Sequence, residues 1–263
     1  MRRGLRVARV STDTEWESWG RLDPHYGVLA HERFRRHNLN APALEEFFRS
    51  GREQFAQIMS DCRHFLGPVS TSRALDFGCG VGRLLIPLAE TAGSCYGIDV
   101  SGAMLREAAE NCSKAGLGNV SLARDLSALE GTEPFSFIQS YIVLQHIPAA
   151  RGLGIIRKLL SLLAEDGVAA LHVTYARRKY AYNLGAQPAV RRVIREFGRR
   201  SGRFMRRLMS VDPEMQMNAY DVNRIMFLFQ SAGVPTANLR FTDHSGNLGV
   251  IFYLRCPRGV QER

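Results

Sequence analysis

The spacing of apolar residues changes character once along the chain, near Arg73. Before that point Leu44, Phe47, Phe48, Phe55, Ile58, Met59, Cys62 and Phe65 recur at helical intervals, interrupted at Ser50-Gly51. Residues 15–68 are therefore predicted to be helical. They follow a polar, basic and aperiodic stretch, residues 1–14, that is predicted to be a disordered tail. After Arg73 short apolar runs alternate with helical ones, the pattern of a parallel sheet built from βαβ units. Strands are predicted at 74–77, 95–99, 120–122, 135–141 and 168–174. Between the second and third lies a helix over 101–115, which Ser101 can cap and Gly116 can end. A helix near 221–232 precedes two further runs, 238–244 and 249–256. Only Ser245-Gly246-Asn247-Leu248 joins those runs, and so short a link allows only an antiparallel hairpin. The fold class predicted is α/β: a doubly wound, seven-stranded mixed sheet with one reversed strand and an N-terminal helical lid over 15–68. Residues 69–263 form the main domain, with an insertion at 176–218 after the fifth strand.

Charge changes this picture in one place. The 263 residues carry a formal net charge of +10. Between Arg177 and Arg207 there are eleven Lys or Arg residues against one acid, Glu196, so the rest of the chain sums to zero. One local device is basic, and the protein as a whole is not. Within it Val190, Val193, Ile194, Phe197, Phe204 and Leu208 fall near one helical face, which leaves the arginines on the other. Four readings remain open for that face: plain solvation, an anionic or carrier-linked small molecule, peripheral contact with a membrane surface, or RNA. Phe197 and Phe204 belong to the apolar face and do not interleave with the arginines, which counts against nucleic acid. No apolar run is long enough for a membrane span, and the basic N-terminus lacks the apolar block of a signal peptide. The five cysteines are scattered, with no C-x-x-C pair, so neither a disulfide framework nor a metal site is expected. A reducing, cytoplasmic setting fits.

The chemistry centres on the string LDFGCGVGR, from Leu75 to Arg83. It follows a predicted strand and opens a predicted helix, the context in which a glycine-rich loop binds a ligand. Gly78, Gly80 and Gly82 let the backbone turn tightly and come close to that ligand, with Cys79 as a small filler between them. A dinucleotide fingerprint would read G-x-G-x-x-G, but here the third glycine is one place early and Arg83 stands where the packing glycine would be. Asp76, two residues before the first glycine, would repel a pyrophosphate and suit a ligand with an ammonium group. Asp99 closes the second strand, where a carboxylate can accept from both hydroxyls of a ribose. Val100 and Met104 then offer apolar faces to a purine.

With these residues in this order, the chain resembles the class I S-adenosylmethionine-dependent methyltransferases of the small-molecule type. D-F-G-C-G-V-G matches the family's first motif and Y-G-I-D-V-S its second. The resemblance is good over roughly residues 70–175 and extends to the C-terminal hairpin. It implies a Rossmann-like methyltransferase fold, S-adenosylmethionine as cofactor, and Asp125, followed by Leu126, at the position that meets the adenine. It also assigns the run from Ser140 to Pro148 to the fourth-strand exit, with Ser140 on the cofactor side and Tyr141 on the substrate side.

His146 in that run is the candidate general base for a hydroxyl acceptor. A structural role is the competing reading, because in the resembled family a histidine at this place accompanies many different substrates, and alignment alone can supply much of the rate. His25, His172 and His244 are lesser candidates. Trp16, Trp19, Asp23, His25 and Tyr26 form an aromatic cluster before the core, and Trp19 and Tyr26 are expected to touch substrate. They serve either as anchors of the N-terminal helices or as a lid that excludes water. The function predicted is methyl transfer to an oxygen or nitrogen of a small molecule. RNA methylation and cofactor binding without catalysis are the alternatives.

Overall fold

The computed structural model describes residues 12–183, 185 and 212–257. The chain opens with α1 (Thr12–Leu22), α2 (Pro24–Val28) and a long α3 (Ala41–Leu66). There follow β1 (Arg73–Phe77), α4 (Leu85–Ala89), β2 (Ser94–Ile98), α5 (Gly102–Lys114), β3 (Val120–Ala123), β4 (Phe135–Ser140), α6 (Ala149–Ser161) and β5 (Leu163–Arg177). The last elements are α7 (Val222–Ser231), β6 (Ala237–His244) and β7 (Asn247–Arg255). Seven strands form one sheet in the order β3-β2-β1-β4-β5-β7-β6. β7 runs antiparallel to both β5 and β6, and the pairs among β1 to β5 are parallel. The order reverses between β1 and β4, the topological switch point at which ligands bind in open α/β sheets.

Strand alternation sends side chains to two cores. On one face Leu75, Ile138, Leu171 and Phe252 pack against α6 and α7 through Ile156, Leu159, Ile225 and Phe229. On the other, Ala74, Phe137, Ala170 and Tyr253 pack against α3, α4 and α5. Both faces are covered, which is why the central strands read as nearly continuous apolar runs.

The N-terminal region departs from expectation in two ways. α3 is unbroken across Ser50-Gly51, because Gly51 is a contact and not a stop: a Cβ there would lie 2.1 Å from the Arg83 carbonyl oxygen. α3 is also a covering helix of the sheet, burying Phe55, Ile58, Met59 and Cys62 in the second core. Only α1 and α2 are left to form a lid. Of the tail expected at 1–14, Thr12, Asp13 and Thr14 open α1, and the rest lies outside the described residues. Most of the basic helix expected within 176–218 also lies outside them. Its described flanks are the end of β5, a 3-10 turn (Arg178–Asn183) and a stretch without regular secondary structure from Asp212 to Tyr220. Among the described residues no helix is long and apolar enough to cross a membrane.

An ion pair between a buried carboxylate and an exposed guanidinium fastens α3 to the reversed hairpin. The Arg240 guanidinium reaches both oxygens of Asp61, at 2.5 and 2.6 Å, and the Tyr253 hydroxyl donates to Oδ2 at 2.7 Å. Burial alone would raise the Asp61 pKa, but bonds from Arg240, Tyr253 and Gln57 outweigh it and hold the carboxyl below its ordinary range. A carboxylate with a depressed folded pKa stabilises above its unfolded pKa and loses that contribution as pH falls through the folded value. Asp61→Ala should therefore cost about 1–3 kcal/mol in urea unfolding at neutral pH. The deficit should shrink as the pH is taken below about 4, near the unfolded carboxylate value. A variant as stable as the parent at neutral pH would show that the contact is incidental.

Candidate active site

The glycine loop is shaped by what presses on it. Gly78 and Gly80 have φ of +79° and +53°, which favour glycine. A Cβ at Gly78 would lie 2.3 Å from the Val143 methyls, and one at Gly80 would lie 2.6 Å from a methyl of Val28. The loop is thus squeezed between the β4 exit and α2. The helix that follows is only five residues long and entirely buried, so the loop presents its own backbone and not a helix terminus.

Asp99, just after β2, accepts from Gly80 N at 3.0 Å through Oδ2 and from Ser101 N at 2.9 Å through Oδ1. One carboxylate thereby joins the glycine loop to the start of α5, where Ser101 caps Met104 N at 3.1 Å. Burial raises the Asp99 pKa to about 6 against those two bonds, and Glu17 adds to the rise. Asp125 caps the turn from Leu126 to Leu129, with Oδ1 accepting from the amide and hydroxyl of Ser127.

The β4 exit is strained and tightly wired. Ile142 has φ of +53°, a costly conformation for a β-branched residue, and its N–H donates to His172 Nδ1 at 3.3 Å. His146 Nδ1 lies 2.7 Å from the Gln216 carbonyl oxygen. A carbonyl can only accept, so Nδ1 carries the proton. Nε2 of the neutral ring then accepts from the Gln145 amide at 3.2 Å, and Gln145 Oε1 accepts from the Thr174 hydroxyl at 2.7 Å. Burial pushes His146 down to about 4 despite the Gln216 bond.

α1 closes over this floor. Thr12 Oγ1 donates to the His146 carbonyl at 2.9 Å, and Trp16 sets its ring edge-on to the imidazole at 4.9 Å. Asp13 pairs with Arg151 of α6 at 2.5 Å, and Glu17 accepts from Ser101 Oγ and Ala103 N. The cleft has a volume of about 260 Å³. Gly78, Gly80, Asp99, Val100, Met104, Asp125, Leu126, Tyr141 and His146 all line it.

Residues 74–167 match the family model described as a methyltransferase domain. That segment is a class I, S-adenosylmethionine-dependent methyltransferase domain. Over 58 residues the chain is 45% identical to an aklanonic acid methyltransferase of Streptomyces sp. strain C5, covering 21% of this chain and 26% of that protein. Over 103 residues the chain is 32% identical to a 23S rRNA (uracil(1939)-C(5))-methyltransferase of Marinomonas posidonica, covering 39% of this chain and 22% of that one. The matches thus span about a quarter of the length of these relatives. The fold is similar to that of magnesium protoporphyrin IX methyltransferase from Synechocystis PCC 6803, with a TM-score of 0.57 at 18% identity. That comparison covers 94% of this chain and 98% of the other.

The residues present fit the domain's cofactor. Asp76 Oδ2 is buried with no hydrogen-bond partner, as an acceptor for an ammonium would be. Burial lifts its carboxyl to about 7 against the pull of Gln139 and Arg83. Asp99 faces the cleft with lone pairs left for a ribose diol, and Ile98, Val100, Met104 and Leu126 suit a purine.

Several expected positions in the methyltransferase domain and its lid fall elsewhere. Cys79, Gly82 and Ser140 do not line the cleft, and Asp76 lies directly before Phe77 and Gly78 of its wall. Asp76, Cys79 and Ser140 are buried, while Gly82 is a turn residue facing Ile86. The Cys79 thiol is pushed well above its ordinary value by burial and the nearby Asp99 and Asp76, which suits a filler. Trp19 is 2% exposed, in a core with Phe34, Phe47 and Met104, so it is an anchor and not a substrate contact. Tyr26 stacks under the Arg35 guanidinium, 3.4 Å from the ring centre, and also misses the cleft. Trp16 faces the cleft in their place. Gln145, Arg151 and Asp13 went unnoticed because their roles arise from partners distant in sequence. His146 lies where expected, but Gln145 occupies its lone pair, so it positions the cleft wall and offers no free base.

If Asp99 holds the ribose as a carboxylate, affinity for S-adenosylhomocysteine should fall as pH drops through about 6. Asp99→Asn should weaken binding more than tenfold, about 1.5–3 kcal/mol, and abolish that pH dependence. Isothermal titration calorimetry at several pH values decides it, and an unchanged affinity would reduce Asp99 to a loop brace.

Proposed function

We propose that this chain transfers the methyl group of S-adenosylmethionine to an oxygen or nitrogen of a small-molecule acceptor. The observation that carries this reading is that nine residues expected at the cofactor and acceptor positions converge on one cleft. Asp76, Asp99 and the glycine loop would hold the cofactor, which supplies an electrophilic methyl when bound. The chain's part is to align the acceptor and exclude water, which can supply much of the acceleration. Apolar walls from Trp16, Ile142, Val143, Ile147 and Ile155 favour an acceptor with an apolar body. The arginine-rich stretch after β5 favours one that is anionic or carrier-linked, ahead of membrane contact. Local similarity to an rRNA methyltransferase favours RNA as the second reading. In that case binding to RNA should weaken steeply with salt.

Calorimetry should give micromolar or tighter binding of S-adenosylhomocysteine, about 8 kcal/mol, and none of NAD. Incubation of S-adenosylmethionine with a panel of small hydroxyl and amine compounds should yield methylated product. Tight NAD binding would overturn the assignment, and cofactor binding with no product across the panel would favour a non-catalytic protein. Replacing Arg199, Arg200, Arg206 and Arg207 with glutamine should raise KM for an anionic acceptor while leaving cofactor affinity unchanged. An unaltered KM at low salt would return those arginines to simple solvation.

A further inference from the structure

Next to His146 the cleft wall holds a second group of polar rings that the cofactor does not account for. Tyr141 lines the cleft, and its hydroxyl lies 3.4 Å from Nε2 of His244, the last residue of β6. His172 of β5 packs against both, with ring centres 5.1 Å from Tyr141 and 5.3 Å from His244. Its own tautomer is fixed: Nδ1 accepts from Ile142 N, so Nε2 carries the proton and donates to Thr242 Oγ1 at 2.8 Å. With both nitrogens engaged, and burial pushing it down to about 3, His172 is a brace for the β4 exit and β6. His244 differs in being only partly buried. The charged and titratable groups facing it are Tyr141 from the β4 exit, His172 from β5, Arg83 beyond the glycine loop, and Asp243 on its own strand. Burial lowers the His244 pKa, Asp243 works against this, Arg83 adds to the lowering, and the net shift is downward.

We propose that Tyr141 and His244 form a proton exit from the cleft to solvent, and that the acceptor is therefore a neutral hydroxyl group. The proposal rests on the methyl-transfer reading and names its substrate class. The acceptor oxygen bonds to the methyl carbon as the carbon–sulfur bond of the sulfonium breaks and its electron pair passes to sulfur. The hydroxyl proton passes to the Tyr141 oxygen while the Tyr141 proton passes to Nε2 of His244, and the resulting imidazolium releases a proton to water. A neutral hydroxyl needs such a route, whereas an ionised carboxylate has no proton to lose. His146 cannot serve, because its lone pair is held by Gln145. The 3.4 Å separation is long for a hydrogen bond, as catalytic contacts often are before the acceptor is bound.

The test uses the full chain and its Tyr141→Phe and His244→Asn variants, with three measurements. Calorimetry should show unchanged affinity for S-adenosylhomocysteine in both. Imidazole nitrogen NMR of the parent should show neutral His244 protonated at Nδ1. In Tyr141→Phe its pKa should rise, because a donor to the neutral ring is gone. With a hydroxyl acceptor from the panel, kcat should fall at least about tenfold in each variant with KM little changed. The parent's loss of rate as pH falls through the His244 pKa should vanish in His244→Asn, since only neutral His244 can take the proton. Normal kcat in Tyr141→Phe, a His244 pKa indifferent to Tyr141, or turnover of carboxylate acceptors alone would each overturn the relay. Parent protein that binds no S-adenosylhomocysteine, or makes no product while the NMR coupling is intact, would instead sink the methyl-transfer reading on which it rests.

Discussion

The cleft depends on one carboxylate accepting two backbone amides. Asp99 leaves β2 and grips Gly80 N on one side and Ser101 N on the other. Without that grip the glycine loop and the first turn of α5 would have no common reference. Ser101 caps α5 and also donates to Glu17 of the lid, so the same anchor sets where α1 lies. Placing a carboxylate here is costly, and its pKa rises to about 6. The two amide bonds offset part of that cost, since hydrogen bonds to charged groups contribute about 1.5–3 kcal/mol each. A carboxylate kept half-desolvated and partly satisfied is well prepared to accept further donors from a ligand.

The opposite wall is organised by a chain of side-chain bonds. Thr174, Gln145, His146 and the Gln216 carbonyl fix one another's orientation and the tautomer of the imidazole. Asn218 and Tyr220 extend the network by donating to the backbone of the β4 exit and β5. The segment that re-enters after the insertion is therefore bound directly to the wall of the cleft. Such networks rigidify a site when every member is satisfied. Rigidity here has a counterpart in strain at Ile142, whose left-handed backbone is held by His172 on one side and by the Val143–Gly78 contact on the other.

The N-terminal helices divide into two functions that their common periodicity conceals. α3 belongs to the sheet, fastened by Asp61, Arg240 and Tyr253 across the reversed hairpin. α1 belongs to the cleft, resting on polar contacts to Ser101, Ala103, His146 and Arg151. Most of these are partly exposed bonds that can break and re-form at small cost. Trp19 adds an apolar anchor for the same helix, in the core with Phe34, Phe47 and Met104.

The fold was legible in the sequence because its signals are local. A change of apolar period at Arg73, glycines at a strand end and a four-residue link between two runs each act over a few residues and specify a strand, a turn or a hairpin. The cofactor half of the cleft was legible for the same reason: Gly78, Gly80, Asp99, Val100 and Met104 lie on or beside their own strand ends. What the sequence left undetermined depends on contacts between distant segments. Trp16 and Trp19 are both tryptophans on one short helix, and only the packing of that helix on α5 and the β4 exit decides which faces the cleft. Gly51 reads as a helix stop until Arg83 is found against it. His146 reads as a base until Gln145 and Gln216 are placed around it, and Tyr141 meets His244 only because the reversed hairpin brings the end of β6 back toward the β4 exit. Local backbone preference needs only neighbours in sequence, whereas the protonation and exposure of a side chain are set by whatever the completed fold packs around it.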